Sequence, residues 1–272
     1  MKYRSKWLAV PLLVLIIMIL LLGKNMMGNA GEKKEYLLTG TGTHYEISVG
    51  DAKEPVVIHM KDMQLTGSEV PVLKILGSAD VTLVLEGENI LQAVTPKTDQ
   101  VQPVLSTEGS LTICGEGSLT VRGMYQDGIR VKNHFSMSSG TLSVEAGNNG
   151  IRSGNEIAIS GGMLNIHADN NGIKAKGKNQ KENGIIKISG GELHVAAGDD
   201  ALEAEALVRI SGGSVFLDAE DYLIHCDGEQ ELTRGCVFGG FQPKFKMPAQ
   251  NLCIFFLLQE IIQFCQCNNI GR

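Results

Sequence analysis

The chain contains an internal repeat with a period of about 22 residues. One copy spans Glu156–Lys174, and other copies span Leu111–Arg130, Phe135–Arg152, Ile186–Glu203 and Val208–Ile224. A unit of this length cannot bury its apolar side chains by itself, because it has too few residues to surround a core. The copies must therefore stack on one another and bury a shared core.

Within each copy, apolar residues alternate with polar residues in three short runs. Leu164, Ile166 and Ala168 form one such run, and alternation with a period of two indicates a β-strand. Glycine pairs follow the first run, at a turn where a positive φ favours glycine; they are Gly161-Gly162, Gly190-Gly191 and Gly212-Gly213. Three strands and three turns per copy predict an all-β chain folded as a parallel β-helix, a solenoid with about 22 residues per coil.

Stacking would align the inward residues of successive copies in three buried columns. The predicted columns are Ile113, Met137, Ile159, Ile188 and Ile210; Val121, Val144, Ile166, Val195 and Leu217; and Ile129, Ile151, Ile173, Leu202 and Ile224. Residues 36–104 are less regular, but Val56–Met60 and Val81–Leu85 also predict strands. We assign this region to earlier, irregular coils.

Residues 1–30 have the composition of a targeting segment. The basic residues Lys2, Arg4 and Lys6 precede the apolar run Trp7–Leu22, and small residues follow. This pattern predicts a signal peptide, or a signal anchor that is not cleaved and holds the protein at the membrane. In either case we expect an extracellular or cell-surface protein.

The rest of the chain divides into two parts. Residues 31–240 contain the repeats and form the predicted β-helix domain, whereas residues 241–272 contain no repeat and remain unassigned. This tail either caps the open end of the stack, with a helix at Leu252–Phe264, or results from a shifted reading frame.

The charge of the chain argues against nucleic acid as a partner. The chain has 24 basic and 30 acidic residues, and residues 1–30 hold four basic residues and no acidic one, so residues 31–272 carry a formal charge of −10. Beyond the first few residues there is no block rich in Lys or Arg. The excess of acidic residues favours a cation or a basic molecule as the partner.

Oxygen-bearing side chains recur at one turn of every copy. The metal ligands that this pattern predicts are Asp127, Asn149, Asn171, Asp199, Asp200 and Asp221. Stacking would place equivalent residues about 4.8 Å apart, where carboxylates repel unless they are protonated or bridged by a cation. Ca²⁺ accepts such oxygens, so we expect calcium here. The alternative is that Asn and Asp simply form the turns and stack as amide ladders.

Directly after this turn, outward positions carry three successive cations, Arg130, Arg152 and Lys174. A row of cations suits a polysaccharide with regularly spaced carboxylates, such as polygalacturonate. The alternative is an ordinary solvated strand face whose cations pair with neighbouring acids. Tyr125 and Tyr222 are the aromatic side chains near this turn and are the predicted platforms for a sugar ring.

The repeat motifs resemble a known family. The Ile-Ser-Gly-Gly turns, the Asp/Asn-Gly-Ile/Leu steps and the segment Leu85–Asn89 are similar to those of secreted bacterial carbohydrate-binding domain-containing proteins, which are related in shape to pectate lyases. The resemblance covers Tyr36–Gly240. It implies a right-handed parallel β-helix, calcium held by acidic turns, and binding to acidic or plant-type polysaccharide without established cleavage.

Three functions remain open from the sequence. The leading one is an exported, non-catalytic protein that binds polysaccharide with the help of calcium. The second is a calcium-dependent pectate lyase, in which Lys174 or Arg152 would abstract a proton from the uronate. The third is a structural or adhesive surface protein. No catalytic residue is assigned.

Overall fold

The computed structural model describes residues 34–50, 55–94, 101–177 and 183–233, together with the backbone of residues 237–239 and 245–246. The predicted targeting segment 1–30 and the predicted cap helix Leu252–Phe264 lie outside the described residues. The described residues form strands and turns and contain no helix, so none of them forms an apolar helix of the length that a membrane span requires.

The described part of the chain forms twenty-three strands in succession. They are β1 (Glu35–Gly42), β2 (Tyr45–Ser48), β3 (Val56–Gly67), β4 (Leu73–Leu76), β5 (Val81–Glu86), β6 (Glu88–Ala93), β7 (Pro103–Thr107), β8 (Leu111–Gly115), β9 (Ser118–Gly123), β10 (Asp127–Val131), β11 (His134–Met137), β12 (Thr141–Ala146), β13 (Ile151–Ser153), β14 (Glu156–Ile159), β15 (Met163–Ala168), β16 (Ile173–Ala175), β17 (Ile185–Ala197), β18 (Leu202–Ala204), β19 (Leu207–Ala219), β20 (Ile224–Cys226), β21 (Glu229–Leu232), β22 (Val237–Gly239) and β23 (Phe245–Lys246).

The alternation of side chains explains why these segments are strands. In β15, Leu164, Ile166 and Ala168 are buried, while the residues between them face outward. The strands expected at Val56–Met60 and Val81–Leu85 are confirmed as parts of β3 and β5. Strands β5 and β12 show the same alternation, with one face buried against the core and the other partly accessible.

Ten strands of the larger sheet close into a ring of parallel pairs. From β3 the ring runs through β5, β8, β11 and β14 to β17, and it returns to β3 through β15, β12, β9 and β6. The expectation of a right-handed solenoid β-helix was therefore wrong, because the hydrogen-bonded strands form a closed, ten-stranded parallel β-barrel.

The reason for the closure is that two long strands each pair with two runs of shorter strands. The first half of β3 pairs with β5 and its second half with β6, and β17 pairs in the same way with β14 and β15. The repeat had predicted a turn at Gly190-Gly191 that ends the strand. Instead β17 continues past it, with a register shift beginning at Ser189 and a φ of +83° at Gly191.

The smaller sheet contains nine parallel strands in the order β2, β4, β7, β10, β13, β16, β18, β20 and β23. The register in both sheets confirms the three predicted apolar columns. In the smaller sheet, Ile129 lies beside Ile151, and Ile151 beside Ile173. All members of the columns are buried. Because the buried residues are in register, the outward residues that follow them on neighbouring strands are in register too.

Candidate functional site

The candidate site lies at the turn that leads from the larger sheet into the smaller one. We call the first of two successive residues in each turn the outer residue and the second the inner residue. The outer residues are Gln126, Asn148, Asn170, Asp199 and Asp221, and the inner residues are Asp127, Asn149, Asn171, Asp200 and Tyr222. The backbone N–H of each outer residue from Asn148 onward donates to the carbonyl of the outer residue in the preceding repeat, at 3.0–3.2 Å. The turns are therefore stacked in register.

Four of the inner residues are buried and form a hydrogen-bonded ladder, which we call the inner ladder: Asp127, Asn149, Asn171 and Asp200. Asn149 Nδ2 donates to Asp127 Oδ1 at 2.9 Å, and Asn171 Nδ2 donates to Asn149 Oδ1 at 3.1 Å. The backbone N–H of Asp200 then donates to Asn171 Oδ1 at 3.3 Å. Buried polar groups are costly unless they are paired, and this inner ladder pairs them across four repeats.

Asp127 terminates the inner ladder and uses both carboxylate oxygens for the protein itself. Oδ2 accepts from Arg130 Nε at 3.0 Å and Nη2 at 2.6 Å. Oδ1 accepts from Asn148 Nδ2 and from the backbone and side-chain nitrogens of Asn149. Because donors surround this buried carboxylate, a metal ion has poor access to it. The assignment of Asp127, Asn149 and Asn171 as calcium ligands stays a prediction, and the amide ladder accounts for their positions.

Glycine after the inner residue allows the turns to stack this closely. A Cβ added to Gly150 would lie 2.4 Å from Ile166 Cγ2, and one added to Gly172 would lie 2.2 Å from Val195 Cγ1. Both distances are shorter than van der Waals contact, so a side chain here would displace the buried column. The Asn-Gly steps of the repeat are therefore explained by packing.

Three carboxylates meet at the other end of the ladder. One oxygen from each of Asp199, Asp200 and Asp221 lies within 4.8 Å of the others, and we call these three residues the acidic cluster. Asp200 is buried; its Oδ1 accepts from the backbone N–H of Tyr222 at 3.1 Å, and its Oδ2 lies 2.6 Å from Nδ1 of His225. Burial raises the pKa of Asp200 above its usual value, and the hydrogen bond to His225 opposes that rise.

The chemistry of the acidic cluster suits a hard cation. Carboxylate oxygens are preferred ligands of Ca²⁺, which also accepts backbone carbonyls. Asp221 is exposed and stacks directly on Asp199 through a backbone hydrogen bond of 3.0 Å. Asp199 and Asp221 would each bind the cation through a carboxylate oxygen. Asp200 already accepts hydrogen bonds from the protein, and its carboxylate would be a further ligand from the buried side of the cluster.

The predicted cations are in register on neighbouring strands of the smaller sheet. Arg130 lies beside Arg152, and Arg152 beside Lys174; we call these three residues the cationic row. The same row continues with Glu203 and His225. The placement that the repeat predicted for these side chains is thus confirmed, whereas their role as a ligand-binding site stays a prediction.

The members of the cationic row differ in their partners. Arg130 is held by Asp127, and its Nη2 also donates to the carbonyl of Val101 at 3.0 Å. Lys174 forms an ion pair with Glu203, and its side chain is only 19% exposed. Among the residues that the structure describes, none forms an ion pair with Arg152. Arg152 is therefore the cation of the row that is best placed for an external anion.

Comparison with known proteins gives the family. The family model described as carbohydrate-binding domain-containing protein matches residues 25–236. The chain belongs to this carbohydrate-binding domain-containing family. The match includes the inner ladder, the cationic row and the acidic cluster of the carbohydrate-binding domain. No curated protein matches the chain.

A solved structure shares the fold of this carbohydrate-binding domain. It is that of the polysaccharide lyase-like protein from C. thermocellum, in a gadolinium derivative, with a TM-score of 0.64. The two sequences are 23% identical over 80% of this chain and 94% of that chain. At this identity the similarity establishes a common fold alone.

The two predicted aromatic platforms of the carbohydrate-binding domain lie in different surroundings. The ring of Tyr222 packs against His225, with centroids 5.4 Å apart. Tyr125 is 39% exposed and lines a groove on the larger sheet. The sequence interpretation missed this groove, although one signal was present. The turn between Gly123 and Gln126 has one residue more than the equivalent turn of the next repeat.

Proposed function

We propose that this protein binds an acidic, plant-type polysaccharide on the smaller sheet, with calcium bridging the ligand to the acidic cluster. The observation that carries the proposal is the register of the cationic row beside that cluster, in a chain of the carbohydrate-binding domain-containing family. Export to the cell surface is part of the same proposal. It is supported by the sequence of residues 1–30.

Arg152 is the proposed central contact with a ligand carboxylate. Its guanidinium can donate two parallel hydrogen bonds to a carboxylate, and it lies between Arg130 and Lys174 on the sheet. Because both neighbours are already ion-paired, they contribute less than Arg152 to direct contact.

Calcium would act at a second point on the same ligand. The acidic cluster lies two strands further along the sheet from Arg152, which is about 10 Å at the usual strand spacing. An acidic polysaccharide approaching a protein of formal charge −10 over residues 31–272 is repelled at long range. A bridging cation reverses that repulsion where Asp199 and Asp221 face the ligand.

The experiment is a comparison of polygalacturonate affinity among arginine variants of the full chain in calcium-containing buffer. We expect Arg152→Ala to weaken binding about tenfold, because a charge-assisted hydrogen bond is lost. Arg152→Lys should lose less, since it keeps the charge. Arg122→Ala, on the larger sheet, is the matched control and should bind as the parent does.

The result that would overturn the proposal is unchanged polygalacturonate affinity in Arg152→Ala. Failure of the parent itself to bind would favour the structural or adhesive alternative. Release of unsaturated uronate by the parent would instead favour the lyase, in which Lys174 or Arg152 is the predicted base.

A further inference from the structure

A groove of about 610 Å³ lies on the larger sheet, on the opposite side of the turns from the cationic row. Its size is within the usual range for ligand sites, about 300–1,000 Å³. Its apolar wall and polar floor are formed by Val94, Met124, Tyr125, Arg122, Glu145 and His167. It is open to solvent along the sheet.

The apolar wall exists because one repeat has an additional turn residue. Gly123 pairs with Ala146 of the next repeat, and Gln126 pairs with Asn148. Two residues, Met124 and Tyr125, therefore lie between the paired positions in this repeat, whereas the next repeat has only Gly147 there. The backbone N–H of Gln126 bonds to the carbonyl of Gly123, which turns the intervening pair outward.

That pair, Met124 and Tyr125, is 70% and 39% exposed, and Val94 beside it is 54% exposed. An exposed group of large apolar side chains at the edge of a groove is a feature of binding sites. A tyrosine ring offers a flat apolar face against which the C–H groups of a pyranose can pack, while its hydroxyl stays hydrated.

The polar floor has regularly spaced donors and acceptors. Arg122, Glu145 and His167 are in register on β9, β12 and β15, about one strand spacing apart. Arg122 Nε donates to Glu145 Oε2 at 3.1 Å, and both side chains are about half exposed, so further hydrogen-bonding positions remain on each. Sugar hydroxyls both donate and accept hydrogen bonds, so they can use these positions.

The charge of the groove differs from that of the cationic row. With a neutral His167, the lining residues Arg122, Glu145 and Asp169 give a formal charge of −1. A carboxylate-bearing sugar would be disfavoured here, and an uncharged one would not.

We propose that this groove is a second carbohydrate-binding site, which takes uncharged pyranose units and requires neither calcium nor the cationic row. The proposal extends the proposed function to a second class of sugar, but it does not depend on it. A polysaccharide with charged and uncharged stretches could occupy both sites at once, which would raise its overall affinity.

The test is calorimetric titration of the full chain, in the presence of a calcium chelator, with three neutral probes: cellohexaose, xylohexaose and mannohexaose. We expect at least one of them to bind. Tyr125→Ala and Arg122→Ala should each weaken that binding about fivefold or more, whereas Tyr125→Phe should retain it. Arg152→Ala is the matched control and should bind the neutral probe as the parent does.

Absence of binding by all three probes at millimolar concentration would overturn the proposal, as would unchanged affinity in Tyr125→Ala and Arg122→Ala. Both substitutions are at exposed positions, and a melting curve of each variant checks that it folds. The same variants titrated with polygalacturonate separate the two sites. Loss of neutral-sugar binding alone assigns the effect to the groove, and loss of polygalacturonate binding alone assigns it to the cationic row.

Discussion

His225 Nδ1 and Asp200 Oδ2 lie 2.6 Å apart, and this contact joins the buried end of the inner ladder to the outward row of the smaller sheet. Asp200 is only 3% exposed, and burial raises the pKa of its carboxyl above the usual value. The hydrogen bond to His225 lowers that pKa, while the neighbouring charge of Asp199 raises it. The folded protein therefore binds a proton at Asp200 more tightly than the unfolded chain does.

This difference predicts a pH dependence of stability. As the pH rises from about 4 through the raised pKa of Asp200, the folded state loses its extra proton, so the free energy of unfolding falls. Asp200→Asn removes the titrating group and should flatten the curve in this interval. Urea denaturation over the acid range, with calcium removed by a chelator, gives the measurement. If the free energy of unfolding changes with pH equally in the parent and in Asp200→Asn, the prediction is wrong.

The inner ladder predicts a difference between two neighbouring asparagines. Asn171→Ala should cost about 2–4 kcal/mol of unfolding free energy, because Asn149 Oδ1 and the buried N–H of Asp200 both lose their partner. Asn170→Ala is the matched control, since Asn170 is only half-buried, and it should cost less than about 1 kcal/mol. Urea denaturation of both variants tests this. Similar losses in the two variants would show that the ladder contributes little.

The buried columns predict that one buried charge strongly destabilises the domain. Ile173 is fully buried between Ile151 and Leu202, so Ile173→Asp should cost about 4 kcal/mol or more. Met163→Asp places the same charge on an outward position of β15 and should cost less than about 1 kcal/mol. The melting temperatures of the two variants, compared with that of the parent, test this prediction. An Ile173→Asp protein as stable as the parent would show that Ile173 does not lie in a buried column.

Calcium should stabilise the protein through the acidic cluster. An ion that binds only the folded state adds about 2.7 kcal/mol at a hundredfold excess over its dissociation constant. We expect calcium to raise the melting temperature of the parent but not that of Asp199→Asn/Asp221→Asn. Asp80→Asn, at an exposed position away from the cluster, is the control and should keep the response. If neither calcium nor chelator changes the melting temperature of the parent, the acidic cluster does not bind calcium.

The buried columns could be predicted from the sequence, but the closure of the ring could not. Alternation and the 22-residue spacing of Ile129, Ile151 and Ile173 define both the inward face and the register. The same Ile-Ser-Gly-Gly sequence, however, ends β14 after Ile159 and lies inside β17 at residues 188–191. Whether a strand continues through the glycines depends on the strands that pair with it, which local sequence does not specify.

For the candidate site, the sequence predicted positions better than partners. The row of Arg130, Arg152 and Lys174 follows from the repeat, because the outward residues share the register of the buried ones. That Asp127 binds Arg130, and that Asp200 binds His225, depends on side-chain orientation within the turn. These contacts decide which carboxylates are available to a metal ion, and no repeat pattern contains that information.

The proposed binding of an acidic polysaccharide on the smaller sheet depends on calcium. Its most direct test is calorimetric titration of the full chain with an oligogalacturonate, once in calcium and once in chelator, at the same ionic strength. We expect binding in calcium that becomes at least about tenfold weaker when calcium is removed. Equal affinity in the two buffers, or no binding in calcium, would contradict it.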